Sequence, residues 1–500
     1  MVLISSWTRL LNTLQLRNDY SEHPAGLEWR SSSAFVITTV TVGMFSDIFL
    51  YSLIVPILPF MLQDRIGVPD SEIQSAVSRL LSTFAVSSVV FSPVAGFLAD
   101  KVSSRSTPFL FGLATMIAST VLLFLGRTFP ILILSRVLQG VSGALIWTIG
   151  LALVVETVGA QNLGATIGTI FSITSAGALC APPIGGILYE KIGYPGVFGV
   201  ACAVLVVDFI MRLLVIETRI ARRYKSNDGS SSGTSTPRNL DGAADDEQST
   251  ILGEEQPLLG TKDEDLTPYI ISPNQSSFAR MVTIAPCLSN PSLLTALLIC
   301  LIQATLVGAS DATIPLVASD YFGFDSLKAG LLFLPLGVCD MIFGPFFGWM
   351  VDRYGTRPMS VFSYVFLIPV LILLRLPHQG GHDQIILYGS LLGLYGIGIS
   401  AISGPSIVEA SAIIEKYHKA NPEFYGKAGP NAQLYGLSNM LFSLGLAIGP
   451  ELGGGLKEAI GYGNMNAVLA GLCVFTAIMC LCFFGEERPA VGPRKGDCPE

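Results

Sequence analysis

The strongest constraint on this chain is an internal repeat. GFLADKVSSR, Gly96 to Arg105, returns as GWMVDRYGTR, Gly348 to Arg357, so that at an offset of 252 residues Pro93, Gly96, Asp100 and Arg105 fall on Pro345, Gly348, Asp352 and Arg357. A second pair, APPIGGILYEKIGY (Ala181 to Tyr194) and GPELGGGLKEAIGY (Gly449 to Tyr462), repeats at an offset of 268. The order is the same in both halves. Landmarks that recur at half the chain length mean two copies of one unit, and any fold has to be built twice.

Each copy is too apolar to stay in water. Hydrophobic residues make up 51% of the chain and charged residues 13%, against about 25% charged in a soluble domain. Read at about 20 residues per crossing, apolar spans fall near 34–62, 72–99, 106–126, 129–156, 162–189 and 195–216, then 292–319, 327–351, 358–376, 384–414, 431–456 and 462–484. The expected fold is an all-α membrane protein of twelve transmembrane helices in two related six-helix bundles, 34–216 and 291–485. An N-terminal tail (1–33) and a C-terminal tail (486–500) flank them. Residues 217–290 run through SNDGSSSGTSTPRNLDGAADDEQST with no helical or strand period, and are expected to form a disordered linker, because they cannot bury enough apolar surface to offset their ordering entropy.

Basic residues set the orientation. Arg219, Arg222, Arg223 and Lys225 follow span six, Lys101 and Arg105 follow span two, and Arg353 and Arg357 follow span eight. By the positive-inside rule the linker and both termini are expected in the cytoplasm. The opening residues show no pattern of a cleaved signal peptide. EEQPLL (Glu254 to Leu259) and EQSTIL (Glu247 to Leu252) fit an acidic dileucine sorting pattern, a string that acidic segments also produce by chance.

Several function classes are disfavoured. Seven of the nine cysteines lie within apolar spans and no CxxC pair exists, which argues against a metal or redox site. His378 and His382 have ligand-like spacing, but HQGGH is a glycine-broken loop. GLYGIGISAISG (Gly393 to Gly404) has no preceding strand and reads as helix packing. No cofactor, no nucleic-acid partner and no enzymatic nucleophile–base pair is expected.

What remains is charge inside the membrane. An ionisable residue at that depth costs at least about 2.5 kcal/mol and marks function by default. Asp47, Asp311 and Asp340 are the deep acids, with Glu409 nearer a face, and Arg136 is a deep cation that serves either as a coupling partner or as a snorkelling charge. Asp208 and Arg212, one turn apart, read as a structural pair. All four histidines (His23, His378, His382, His418) lie outside the spans, so a proton carrier is expected to be a carboxylate. Asp100 and Asp352, where helices end, are placed to accept charge-assisted hydrogen bonds from a facing helix end, with Arg105 and Arg357 five residues on and Gly96 and Gly348 permitting close approach. Such a latch holds one conformation and is released in the other, so these six residues are expected to gate. The runs Gly177, Pro182, Pro183, Gly185, Gly186 and Gly449, Pro450, Gly453, Gly454 allow bending in spans five and eleven.

GFLADKVSSR resembles the signature loop of the major facilitator superfamily, LSRVLQG (Leu134 to Gly140) its fourth-span motif, and APPIGG the fifth-span motif of its drug:proton antiporters. GMFSDIFLYSLIVPILPFML (Gly43 to Leu62), RVLQGVSGALIW (Arg136 to Trp147) and GALCAPPIGGILYEKIG (Gly177 to Gly193) are similar to vesicular amine transporters, and the chain as a whole resembles fungal exporters of drugs and secondary metabolites. The resemblance implies acids at Asp47 and Asp311. It also implies departures: Phe84, Ser400 and Asn439 stand where amine transporters carry a lysine and two aspartates. The expectation is therefore a monomeric antiporter that exports a lipophilic or weakly polar organic compound against protons, in the plasma membrane or a vacuolar or endosomal one. A proton-coupled importer and a non-transporting sensor are the alternatives.

Overall fold

A computed structural model describes residues 26–101, 106–159, 162–216, 266–271, 275, 277–324, 326–425 and 429–484. Among them there is no strand. The N-terminal half contains α1 (Ser33–Ile54), α2 (Asp70–Lys101), α3 (Ser106–Leu125), α4 (Phe129–Val158), α5 (Leu163–Ile192) and α6 (Tyr194–Leu214). The C-terminal half contains α7 (Pro291–Phe322), α8 (Phe333–Tyr354), α9 (Thr356–Leu373), α10a (His382–Ser403) continued by α10b (Pro405–Ala420), α11 (Asn431–Ile460) and α12 (Tyr462–Phe483).

Local chemistry sets the ends of these helices. The Ser32 hydroxyl accepts from the Phe35 N–H at the start of α1, and the Asn290 side chain accepts from Ser292 and Leu293 ahead of α7, whose first residue is Pro291. Both devices satisfy amides that a helix start leaves free. Gly193 and Gly461 end α5 and α11 at φ of +76° and +82°, a conformation that side chains disfavour, and they are 268 residues apart. In a bilayer every backbone group has to be satisfied within the segment, so the spans are helical throughout. Val86, Leu98, Val206, Phe346, Phe362 and Val474 project outward as large exposed apolar side chains, the surface that lipid would cover.

Among the described residues eleven helical segments are long and apolar enough to cross a membrane, where twelve spans are expected. The twelfth is α11. It has 30 residues, enough for a crossing, but it carries Asn431, Gln433, Asn439, Glu451 and Lys457 and several glycines, which lower its mean hydropathy. Its low hydropathy follows from its place: one face of α11 packs on α7, α2 and α4 through polar and small residues.

The two halves repeat each other's packing. In the first, α1 lies on α5, with Gly185 under the Leu53 carbonyl and Gly177 under the Phe45 ring. In the second, α7 lies on α11, with Gly445 under the Leu301 carbonyl, Gly449 under that of Thr305 and Gly453 against Ala309. A methyl at any of these glycines would collide with the facing helix. Gly186 and Gly454 face open space instead. Helices α5 and α11 continue unbroken through Pro182, Pro183 and Pro450.

Two boundaries differ from expectation. The segment expected to be disordered to residue 290 is folded at its end, with short helical turns at Ser277–Met281 and Ala285–Ser289. Its side-chain contacts, rather than its own period, order it. At the other end Arg30, expected in a polar tail, is buried and donates to the Leu214 and Leu213 carbonyls at the end of α6, where a cation complements the helix C-terminus. Residues 1–25, 217–265 and 485–500, including the dileucine strings and most of the tails, lie outside the described residues.

Candidate functional site

The acids and glycines of the repeated loop meet across the two halves on the face where the linker emerges. Asp100, at the end of α2, accepts from the backbone N–H groups of Ala432 and Gln433 at 3.1 and 2.9 Å, the first turn of α11. Asp352, at the end of α8, accepts from those of Gly164 and Ala165 at 2.7 and 2.8 Å, the first turn of α5. Each carboxylate caps a helix N-terminus of the opposite half, where free amides and the helix dipole both favour a negative charge. Glycines bring the helices that close. A Cβ on Gly96 would strike the Ala432 carbonyl, one on Gly436 that of Ser92, one on Gly348 that of Gly164 and one on Gly168 that of Gly344. Asp100, Asp352, Gly96 and Gly348 thus each lie in contact with a facing helix end.

The arginine of the second copy does something else. Arg357 donates to the Leu481 carbonyl at 2.7 Å, tying α9 to the end of α12 within its own half. Arg105 lies outside the described residues.

Above this seam polar contacts continue towards the middle of the membrane. Asn439 donates to the Ser92 hydroxyl at 2.8 Å and Ser443 bonds Ser88 at 2.9 Å, joining α11 to α2. Ser175 donates to Asp340 at 2.5 Å, joining α5 to α8. Asp340 and Asn439, grouped in the sequence with the coupling acids, are therefore seam residues. Glu409 is buried and accepts from Thr356 at the start of α9, beside the loop of Asp352. The spacing in sequence cannot reveal these partners, because each comes from a helix of distant sequence position.

The deep centre is smaller than the sequence list. Asp47, buried on α1, accepts from the Trp147 indole at 3.0 Å through Oδ2, while its Oδ1 has no partner. Gly143 packs directly over this carboxylate. Arg136, fully buried on α4, donates to Gln139 at 2.5 Å and leaves Nε and Nη2 without partners. Asp311, on α7, is accessible although it sits mid-helix, so it faces an opening rather than packed protein. Tyr51 lies within electrostatic range of both Arg136 and Asp311, and its ring rests 4.8 Å from that of Phe84. Arg136 thus shares a neighbour with Asp311 and does not reach the membrane surface as a snorkelling cation. Trp147, Gln139 and Tyr51 are members that sequence reasoning missed as partners. The expected Asp208–Arg212 pair is present, bidentate at 2.7 Å with Arg212 also on the Phe109 carbonyl.

At the linker face the seam leaves a cavity of about 220 Å³ between α4, α5, α10b and α11, lined by Glu156, Leu163, Ser411, Glu415, His418 and Asn431. Among the described residues no group of histidines, cysteines and acids could hold a metal ion.

Two helical bundles of repeated design, latched on one face around membrane-depth acids, define a membrane transport protein. The family model of the Major Facilitator Superfamily matches residues 40–421, and the chain belongs to that family. It is 38% identical over 478 residues to "MFS-type transporter ppzB" of Metarhizium rileyi, covering 93% of this chain and 98% of that one. It is 36% identical over 459 residues to "Uncharacterized MFS-type transporter C18.02" of Schizosaccharomyces pombe, covering 92% and 97%. It is also similar to the vesicular acetylcholine transporter of Drosophila melanogaster, at 22% over 464 residues, 87% of this chain and 69% of that one. Among solved structures, the human organic anion transporter MFSD10 superposes with a TM-score of 0.62 at 17% identity, over 90% of this chain and 99% of that one. The protein is accordingly a multi-pass membrane transporter of a small molecule.

Proposed function

We propose that the protein exports a lipophilic or weakly polar organic compound in exchange for protons by rocking its two halves about a central site. The observation that carries the reading is the pair Asp47 and Asp311, two carboxylates at membrane depth on α1 and α7, the first helices of the two halves. Among the described residues neither forms an ion pair, and Oδ1 of Asp47 has no hydrogen-bond partner. A structural acid at that depth would be expected to carry a matching cation; a proton carrier has to be able to lose its charge and regain it. Arg136, unpaired to either acid, supplies a fixed charge whose field the protons and the compound share.

The latched linker face, cytoplasmic by the distribution of basic residues, then belongs to the state open to the other side. One proton moving through about 100 mV yields about 2.3 kcal/mol, and one pH unit adds about 1.4 kcal/mol. Together they support roughly a 500-fold concentration ratio per proton exchanged.

A second reading, that the exported compound carries an acidic group, is favoured by the two unpartnered donors of Arg136, a geometry suited to a carboxylate. The structural neighbour of the same fold is an organic anion transporter.

Proteoliposomes loaded with a pH dye test both. A gradient of each compound, neutral and acidic, is imposed on wild type, Asp47→Asn and Asp311→Asn. Proton movement opposite to the compound, lost in both variants, is the expected result. Movement in the same direction would make the protein an importer, and silence with every compound would leave the sensor alternative standing.

A further inference from the structure

The stretch joining the halves ends in a segment that is held at many points. Asn421, just past α10b, donates to the Tyr269 carbonyl and accepts from the Ile271 N–H, both at 2.8 Å. The Tyr269 ring meets that of Tyr417 edge-on at 5.2 Å, and the Lys416 ammonium lies 5.6 Å from its centre. Further on, the Gln433 side chain donates to the Thr283 hydroxyl at 3.0 Å and accepts from the Ile284 N–H at 3.3 Å. Cys287 bonds the Tyr425 hydroxyl at 3.0 Å.

Gln433 is where this segment meets the seam. Its backbone N–H is one of the two that hold Asp100, while its side chain is held by the linker end. The residue is largely buried, so an amide released from Thr283 and Ile284 would be left without partners in a site shielded from water, at a cost. The first turn of α11 is thereby fixed in the position that caps Asp100. Residues 217–265 connect the same segment to α6 in the other half.

We propose that residues 266–271 and 277–290 are a strap that fixes the first turn of α11 and, through the cap this turn makes on Asp100, keeps the linker face of the two halves closed, with Gln433 as the positioning residue through which it acts. The proposal rests on the alternating-access reading above. Release of the strap frees the first turn of α11, weakens the cap on Asp100 and favours opening of that face. Anything that pulls on, binds or modifies the linker then adjusts the transport cycle from outside the substrate path.

The test uses the full chain in lipid nanodiscs, with accessible native cysteines replaced by serine and spin labels at Lys101→Cys and Lys419→Cys. These exposed positions lie on α2 and α10b, on opposite sides of the seam. Electron–electron double resonance reads the ratio of separated to closed distances. Gln433→Ala keeps the backbone N–H to Asp100 and removes only the strap bonds, Thr283→Val removes one of them, and Asn421→Ala loosens the strap from its other end. Each is expected to raise the ratio about fivefold per net hydrogen bond lost.

Asp100→Asn breaks the seam directly. If it shifts the distances and none of the three strap variants does, the strap is overturned and the gating reading stands. If Gln433→Ala alone shifts them, the effect belongs to α11 and the strap is again overturned. If Asp100→Asn shifts nothing, the seam is not a gate and both fall.

Discussion

The two seams of the linker face are copies of each other that differ in one respect that reaches the linker. Asp352 caps α5 through Gly164 and Ala165, and Asp100 caps α11 through Ala432 and Gln433. Position 432 less 164 is 268, the repeat offset, so Ala165 and Gln433 are counterparts. A methyl group can offer no hydrogen bond. An amide offers both a donor and an acceptor, and in the second seam both are taken by the linker end. Duplication supplied the latch twice, and a single side chain made one copy answerable to the segment between the halves.

A second contrast runs the other way. Asp208 and Arg212 form a buried ion pair in α6, where the same offset places Thr476 and Cys480 in α12, also buried. Breaking one partner of a buried pair leaves an uncompensated charge, so Arg212→Leu should cost about 3–5 kcal/mol. The substitution of both residues, Asp208→Thr with Arg212→Cys, should recover most of that loss, because the other half already folds with those residues. Thermal unfolding in detergent reads the difference. A double variant as unstable as the single one would break the equivalence of the halves.

Smaller effects address the seams themselves. Gly348→Val and Gly96→Val each drive side-chain atoms into a facing carbonyl, an overpacking of about 1–3 kcal/mol. Both should populate the opened linker face and slow flux in proteoliposomes. Flux at the wild-type rate in either variant would show that the halves need not approach so closely. Asp352→Asn and Asp100→Asn retain the shape but lose the charge in the cap, worth about 1 kcal/mol. The Asp100 variant should lose more transport than the Asp352 variant, because it also removes the cap through which the strap acts. Equal losses would erase the asymmetry drawn from Ala165 and Gln433.

The repeat, the helical bundle and the latch residues were legible because each leaves a mark in one dimension. Hydrophobic length announces a span, and a doubled G-x-x-x-D marks a duplicated contact. Partners were not legible. Nothing in the string links Asn439 to Ser92, Ser175 to Asp340 or Glu409 to Thr356, since these pairs form only when helices far apart in sequence lie side by side. α11 shows the limit from another side: its polar and glycine-rich face weakens the span signal because it is spent on contacts with α2 and α7. The linker end shows it too, as residues 266–271 and 277–290 have no period of their own and are held by Asn421, Tyr425 and Gln433.

The finest distinction, between a docked and a free linker end, is open to a chemical reading. Cys287 sits in the strap, fully buried against Tyr425, and burial pushes its thiol up to about 11. Only the thiolate reacts, so at pH 8 its alkylation should be slower than that of an ordinary thiol by on the order of a hundredfold, shielding aside. Its rate should climb about tenfold per pH unit up to that value. Cys482, exposed near the end of α12, serves as the internal standard. Asn421→Ala should raise the Cys287 rate severalfold while leaving Cys482 unchanged, because it loosens the strap upstream without touching α12. If Cys287 of the wild type is alkylated as fast as Cys482, the segment spends much of its time undocked, and the contrast between Ala165 and Gln433 loses its physical basis.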